Sequence, residues 1–153
     1  DIMSGKAKAG NKVVLIDDNG HYEAAGTAEF LADQGKKVEV ITRFLTLGVD
    51  LTPTVQLDLV LPRIVKKGVI LHPHSGVRKI EGDRVTVLDT ISEQERVIEG
   101  VDTVVLAMGK TANDSLYFAL KGKVKELYRV GDCVAPRKVD KAIYEGHKVG
   151  RTL

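Results

Sequence analysis

The stretch Lys12–Arg43, KVVLIDDNGHYEAAGTAEFLADQGKKVEVITR, decides the fold class of this 153-residue chain. It opens with a β-branched apolar run, Lys12–Ile16, which is typical of a buried strand that ends at a polar turn. The apolar residues of Glu23–Gln34 recur at helical spacing, and Gly35 stands where glycine commonly ends a helix. A second apolar run, Lys37–Ile41, follows. Strand, helix and strand within about 30 residues predict a β-α-β unit and therefore a parallel sheet.

The chain up to residue 108 predicts one more helix and five further strands. The segment 57–67 has helical composition, and we expect Pro62 to start or kink that helix rather than lie in its middle. Alternating apolar and polar residues predict a half-exposed antiparallel meander, whereas uniformly apolar runs predict buried strands. The alternating runs are Val77–Ile80, Arg84–Leu88 and Glu95–Ile98, and the apolar runs are Val69–Leu71 and Val101–Ala107. The expected fold class is α/β: a Rossmann-like parallel sheet with helices, plus an antiparallel meander.

The pattern changes after Met108 and Gly109, where we place a domain boundary. Residues 12–108 are the predicted Rossmann-like nucleotide-binding domain, residues 109–153 are a separate segment, and residues 1–11 are a linker. The separate segment contains a predicted short helix, a strand and a longer helix. These are Ser115–Leu120, Glu126–Val130 and Lys138–Arg151.

Composition narrows the classes of function. The chain has 23 basic and 21 acidic residues, a net charge of +2, and the two signs are interspersed, so we expect neither a nucleic-acid partner nor a membrane surface. Its single cysteine excludes an internal disulfide, and we expect a reduced, cytoplasmic protein. No Ser/His/Asp arrangement supports hydrolase chemistry, and His72 and His74 lack a third metal ligand. Since the sequence begins at Asp1 without a methionine, we expect it to be an excerpt.

The turn Asp17–Gly26 after the first strand is the first candidate site. At such a turn, free amides and the positive end of a helix meet a pyrophosphate, and the motif Gly-x-Gly-x-x-Gly lets the phosphates approach the backbone. Here Gly20 and Gly26 are present without the glycine triplet, and Asp17 and Asp18 stand where phosphate would approach. Two interpretations follow: the turn binds a nucleotide, or the domain keeps the fold and has lost or weakened its cofactor.

Four further residues at the same edge are candidate nucleotide contacts. His21 and Tyr22 lie in the turn, where they would stack on an adenine or cap the loop. Thr42 and Arg43 end the second strand, where an acidic residue usually binds the ribose of NAD and an arginine suits a 2′-phosphate. The missing acid favours NADPH or an adenine nucleotide over NADH. The alternative is that Arg43 is a solvated loop charge.

The second candidate site is the pair Gly131 and Asp132, between a predicted strand and a predicted helix. In flavoproteins with two dinucleotide-type domains, this arrangement lets the Asp accept a hydrogen bond from a flavin ribityl hydroxyl, while amides of the helix end face the isoalloxazine. Cys133 adjoins the pair. It either approaches a flavin or packs as a small side chain.

Three segments together resemble the C-terminal region of the NADH:flavin oxidoreductase family, which includes trimethylamine dehydrogenase and 2,4-dienoyl-CoA reductase. They are the turn Asp17–Gly26, the strand end Val104–Gly109 and the segment Gly131–Arg137. The resemblance implies that residues 12–108 match an NAD-type domain inserted into an FAD-type domain, and that residues 109–153 match the last piece of the FAD-type domain. The glycine-poor turn is more similar to the trimethylamine dehydrogenase branch.

For function, the resemblance implies a domain that positions a dinucleotide for electron transfer with flavin. The alternative is a non-catalytic module that binds ADP or has a purely structural role. The implied cofactor is FAD or ADP, with NAD(P)H as a further ligand, and no catalytic residue is expected in this chain. The implied partner is the rest of the parent flavoenzyme, a TIM barrel with FMN and an iron–sulfur cluster, in a homo-oligomer. The expected cofactor-binding residues are Asp18, Gly20, His21, Tyr22, Thr42, Arg43, Met108, Gly109, Gly131 and Asp132.

Overall fold

A computed structural model describes all residues, 1–153, in two compact units, Asp1–Met108 and Gly109–Leu153. The first unit contains seven strands, two α-helices and a 3₁₀ helix. In chain order these are β1 (Lys12–Asp17), α1 (Tyr22–Asp33), β2 (Lys37–Thr42), the 3₁₀ helix (Val49–Thr54), α2 (Leu57–Lys66), β3 (Ile70–His72), β4 (Ser75–Glu81), β5 (Arg84–Asp89), β6 (Glu95–Ile98) and β7 (Thr103–Ala107). The second unit contains α3 (Ser115–Leu120), a short 3₁₀ helix (Gly131–Cys133) and α4 (Val139–Gly150).

Two sheets build the first unit. One is parallel, with strand order β3-β2-β1-β7, and the other is the antiparallel meander β4-β5-β6. Asp17, the last residue of β1, pairs with Thr42 of β2 and with Ala107 of β7, so the carboxyl ends of three parallel strands meet at one edge. The expected α/β fold class, a parallel sheet with helices plus a meander, is confirmed.

The parallel sheet is covered on both faces, which explains why its strands are apolar on both sides. One core lies between the sheet and the helices α1 and α2, and the second lies between the sheet and the meander. Small residues on α1 let that helix approach the sheet closely. The first core includes Val13, Leu15, Ala24, Ala25, Ala28, Leu31, Val38, Val40, Val60 and Ile64, and the second includes Val14, Ile41, Val85, Val87, Ile98 and Val101.

Two expectations about secondary structure are wrong, and one element is missing from the prediction. Glu126–Val130 is not a strand, because the second unit contains no strand that pairs with it. Pro62 lies inside α2, which begins at Leu57; burial of Val60 and Ile64 offsets the hydrogen bond that the proline cannot donate. The 3₁₀ helix Val49–Thr54 has no sequence periodicity that would have indicated it. No helix in the chain is long and apolar enough to cross a membrane.

A charged cluster joins α1 to α2. The Glu29 carboxylate accepts hydrogen bonds from Arg63 Nε at 2.5 Å and from Lys67 Nζ at 2.8 Å. Lys67 also donates to Asp33 at 2.9 Å. The hydrogen bonds from Arg63 and Lys67 lower the pKa of Glu29 from 4.5 to about 2. Glu29 therefore stays ionised well below neutral pH and holds the two helices together.

The substitution Glu29→Gln tests this cluster. Because the pKa of Glu29 is depressed in the folded state, its stabilising contribution is present above about pH 4.5 and is lost as the pH falls toward 2. Since the Arg63 side chain is 48% exposed and screened by solvent, we expect a loss of about 1 kcal/mol in the free energy of unfolding at neutral pH. Urea unfolding of both proteins near pH 7 and near pH 3 measures it.

Asp58→Asn is the matched control, because it removes an exposed acid from the first turn of α2. The difference in the free energy of unfolding between Glu29→Gln and the wild type should be smaller at the lower pH. A difference that stays constant across the two pH values would contradict a charge-based role for Glu29.

Candidate functional site

The carboxyl ends of β1, β2 and β7 form the edge at which a ligand would bind. In open α/β sheets, ligands bind at this edge where the strand order reverses, and here that point is β1, with β2 on one side and β7 on the other. The edge brings together all seven predicted contacts of the first unit, namely Asp18, Gly20, His21, Tyr22, Thr42, Arg43 and Met108. The remaining predicted contacts, Gly109, Gly131 and Asp132, belong to the second unit.

The Asp17 side chain supports the turn from beneath. It is 1% exposed, and its Oδ1 accepts the N–H of Gly20 at 2.9 Å while its Oδ2 accepts the hydroxyl of Thr42 at 3.3 Å. One buried carboxylate thus joins the end of β1, the turn and the end of β2. Sequence reasoning placed Asp17 in the path of a phosphate and missed this role. Side chains alternate between the two faces of a strand, so the position of residue 17 in β1 places it on the buried face toward the helices. This alternation is the sequence signal that could have indicated the structural role of Asp17.

Gly20 is required by the packing of the chain itself. Its φ of +68° lies in the left-handed region, and an added Cβ would lie 2.7 Å from Cγ1 of Val49 and 3.2 Å from the ring of Phe44. The N–H of Asp50 donates to the carbonyl of Gly20 at 3.0 Å. The segment 44–50 therefore packs directly against Gly20 and leaves no room for a side chain there.

His21 and Tyr22 occupy the start of α1. The N–H of His21 donates to Oδ1 of Asn19 at 3.0 Å, and Nδ1 of its ring contacts Oδ2 of Asp50. The Tyr22 side chain is half exposed, and its ring lies 3.2 Å from where a Cβ on Gly26 would be. The contact with Asp50 of the 3₁₀ helix therefore holds the His21 ring, and Gly26 accommodates Tyr22.

The turn does not fit a pyrophosphate in the manner of a glycine-rich motif. Three successive amides, those of Asn19, Gly20 and His21, are directed at side-chain oxygens of the chain. These amides are the donors that such a turn normally offers to phosphate. A diphosphate would gain none of them, and it would also meet the negative charge of Asp18.

The other side of this edge is open. A cavity of about 180 Å³ faces the meander side, and the side chains of Asp18 and Arg43 stand at it. Nη2 of Arg43 lies 2.5 Å from Oδ1 of Asp18. The ends of β1 and β7 are tied together by the Asp18 N–H, which donates to Ala107 O at 3.0 Å, and by Asn19 Nδ2, which donates to Met108 O at 3.3 Å. The apolar lining consists of Ile16, Ile41, Val77, Leu106 and Met108.

In the second unit, a carboxylate on α4 holds the loop that contains Gly131. The buried Gly131 has a φ of +68° and donates its N–H to Oε2 of Glu145 at 2.8 Å. The guanidinium of Arg137 bonds to the other oxygen of Glu145, and the two contacts lower the pKa of Glu145. An added Cβ on Gly131 would lie 3.3 Å from Ala142. Sequence reasoning missed Glu145, because no spacing rule relates it to Gly131.

Asp132 lies exposed between this loop and α4. One of its carboxylate oxygens accepts the N–H of Arg137 at 3.3 Å. The thiol of Cys133 donates to the carbonyl of Val130 at 2.9 Å, so it is engaged with the backbone. Gly109 is exposed at the start of the unit. An exposed carboxylate before a 12-residue helix fits a ligand that offers hydroxyl donors, such as the ribityl or ribose part of FAD.

Known proteins are similar to this chain in sequence and fold. A family model described as pyridine nucleotide-disulphide oxidoreductase matches residues 20–146. The chain belongs to this oxidoreductase family. Over 97% of its length it is 28% identical to N,N-dimethylglycine/sarcosine dehydrogenase of Chromohalobacter salexigens, and over 96% it is 30% identical to a metal reductase of Desulforamulus reducens. It covers 26% and 25% of these two proteins, so it spans about a quarter of the length of the curated relatives it matches.

A solved structure gives the same assignment. The histamine dehydrogenase from Rhizobium sp. 4-9 is similar over 100% of this chain and 25% of that chain, with a TM-score of 0.91 and 27% identity. The expected relationship to trimethylamine dehydrogenase-like oxidoreductases is confirmed. The chain is therefore an oxidoreductase domain of the dinucleotide-binding type.

The role of Asp17 in this domain is tested by Asp17→Ala. Removing a buried acceptor leaves the Gly20 N–H and the Thr42 hydroxyl without a partner, so we expect a loss of about 1–3 kcal/mol in the free energy of unfolding. Urea unfolding of the chain measures it. Asp17→Asn keeps an acceptor and should lose less. A loss as small as that of Asp18→Asn, at the more exposed neighbour, would show that the Asp17 bonds do not hold the turn.

Proposed function

We propose that this chain is the nucleotide-domain region of a larger flavin-dependent oxidoreductase. In this proposal residues 12–108 are an inserted NAD-type domain, and residues 109–153 are the last piece of an FAD-type domain. The observation that carries the proposal is the exposed Asp132 carboxylate between the Gly131 loop and α4, inside the region that matches the family. Gly109 begins the same piece, and Gly131, with its φ of +68°, shapes the backbone next to Asp132.

Different residues of the second unit would have different roles in binding a flavin dinucleotide. Glu145 and Arg137 fix the loop against α4, so that Asp132 is presented in one place. Asp132 then accepts a hydrogen bond from a hydroxyl of the cofactor, and the first turn of α4 offers amide donors and the positive end of a helix dipole. Bound FAD supplies the redox chemistry, because it accepts electrons from one partner and passes them to another.

The whole parent enzyme is proposed by comparison with the relatives. Their names specify oxidation of N,N-dimethylglycine, sarcosine and histamine, which supports an amine as the reducing substrate, with an enoyl substrate as the alternative. The proposed partner of this chain is the remainder of that enzyme, a TIM barrel with FMN and an iron–sulfur cluster. We place the assembly in the cytoplasm as a homo-oligomer.

A second function is favoured for the first unit by the hydrogen bonds of its turn. Because the amides of residues 19–21 are directed at side chains of the chain and leave no donors for a pyrophosphate, the 12–108 domain is suited to hold only the adenine and ribose of a nucleotide such as ADP at its open cavity, or to act as structure. It is less suited to turning over NAD(P)H. The domain would then stabilise the parent enzyme without reacting.

Titration calorimetry of the 153-residue chain with NADH, NADPH and ADP separates the two functions. We expect ADP to bind at least as tightly as either reduced nucleotide, because the turn offers no amide donors to the second ribose and nicotinamide of NADH or to the extra 2′-phosphate of NADPH. Micromolar binding of NADH or NADPH, tighter than that of ADP, would instead support a direct role in electron transfer. Absence of binding by all three would leave the structural role.

The role of Asp132 is tested in the full-length parent enzyme. Asp132→Ala removes the acceptor for a cofactor hydroxyl, so the fraction of protein that retains FAD or ADP through purification should fall. Absorbance of the flavin and mass spectrometry of the released nucleotide measure that fraction. Glu126→Ala, which removes another exposed acid of the same unit, is the control. Unchanged occupancy in Asp132→Ala would mean that Asp132 only shapes the turn.

A further inference from the structure

The ion pair of Asp18 and Arg43 stands at the cavity where the 12–108 domain would hold an adenine nucleotide. We propose that Asp18 is a specificity-determining residue, which makes this site select a ribose with a free 2′-hydroxyl and reject a 2′-phosphate. This inference rests on the proposed adenine-nucleotide role of the domain. It reverses the preference for NADPH that the sequence around Arg43 indicated.

The size of the cavity indicates which part of a nucleotide it takes. Its volume is about 180 Å³, whereas sites that enclose a whole small-molecule ligand measure about 300–1,000 Å³. Apolar side chains from β1, β2 and β7, including Ile16, Ile41 and Leu106, supply walls for a flat ring. The cavity therefore suits one aromatic base, with its ribose at the mouth beside Asp18 and Arg43.

The charges at the mouth oppose a second phosphate. Among the residues that line the cavity, Arg43 is the one cation, and Asp17 and Asp18 are the two acids. The guanidinium is already paired with Asp18 at 2.5 Å. A 2′-phosphate would have to displace that carboxylate or bind beside it, and like charges brought together at a binding site are strongly unfavourable.

Asp18 cannot readily move away from an incoming phosphate. Its backbone N–H is bonded to Ala107 O at 3.0 Å, and its side chain is 25% exposed, whereas that of Arg43 is 64% exposed. A 2′-hydroxyl, in contrast, is a donor that an ionised carboxylate accepts. Dinucleotide domains usually place such an acid at the end of the second strand. Here Thr42 and Arg43 occupy that position. The acid comes instead from the end of β1, where Asp18 forms the ion pair with Arg43.

Two probes that differ only in the 2′-phosphate test the proposal: 5′-AMP and adenosine 2′,5′-bisphosphate. Calorimetry on the 153-residue chain gives the ratio of their affinities. We expect the wild type to bind 5′-AMP at least as tightly as the bisphosphate. Asp18→Asn releases Arg43 from its partner and should shift the ratio toward the bisphosphate by about tenfold, the size of effect that one charge-assisted contact gives. Adding Arg43→Gln to Asp18→Asn should cancel the shift.

Asp58→Asn is the matched control, because it makes the same change in net charge at an exposed position on α2. It should leave the ratio unchanged, which excludes a general attraction of anions. The single variant Arg43→Gln gives an independent test if Asp18→Asn unfolds, and thermal unfolding of each variant reports this. Arg43→Gln should keep the affinity for 5′-AMP and weaken the bisphosphate further.

Three results would overturn the proposal. The first is an unchanged ratio in folded Asp18→Asn, and the second is a wild type that prefers the bisphosphate. The third is a gain of bisphosphate affinity in Arg43→Gln. If ADP binds the chain and the ratio does not respond to Asp18, the specificity role fails and the nucleotide role stands. If neither probe nor ADP binds any folded variant, both fail.

Discussion

The edge formed by the carboxyl ends of β1, β2 and β7 depends on the hydrogen bonds of one buried carboxylate, that of Asp17. A carboxylate removed from water is costly unless donors replace the lost hydration, and here the Gly20 amide and the Thr42 hydroxyl do so. Because the two donors come from the turn and from β2, satisfying one side chain fixes the positions of three chain segments. The left-handed conformation of Gly20 and the packing of segment 44–50 on it follow from that constraint.

The second unit also contains a left-handed glycine whose amide is bonded to a carboxylate. Gly131, like Gly20, has a φ of +68°, and its amide is bonded to a carboxylate of the chain, that of Glu145. In each unit one acid binds a glycine amide internally, and a neighbouring acid, Asp18 or Asp132, remains accessible at the edge. The amides are thus used to hold the loops. We propose that the neighbouring acids recognise the ligand, because a carboxylate favours hydroxyl donors over phosphates.

Local sequence patterns predicted most of the fold, and the errors arise where structure depends on distant partners. Strand and helix periods in Lys12–Arg43 and in the meander led to the correct elements within a few residues. Glu126–Val130 has strand-like residues, yet a strand exists only where a neighbour supplies backbone partners. For Pro62, the burial of α2 against the core outweighed a local helix penalty.

By itself, the sequence determined the fold class and the position of the candidate edge, because apolar periodicity and the placement of polar residues after strands are local properties. The resemblance of its motifs also led to the oxidoreductase family. Only the tertiary structure decided what the acids at that edge do. Asp17 and Asp18 are adjacent and chemically identical, and alternation along β1 turns one toward the core and the other toward Arg43. Their roles depend on which donors the folded chain brings to each. Two of these donors, the Thr42 hydroxyl for Asp17 and the Arg43 guanidinium for Asp18, come from the end of β2, more than twenty residues away.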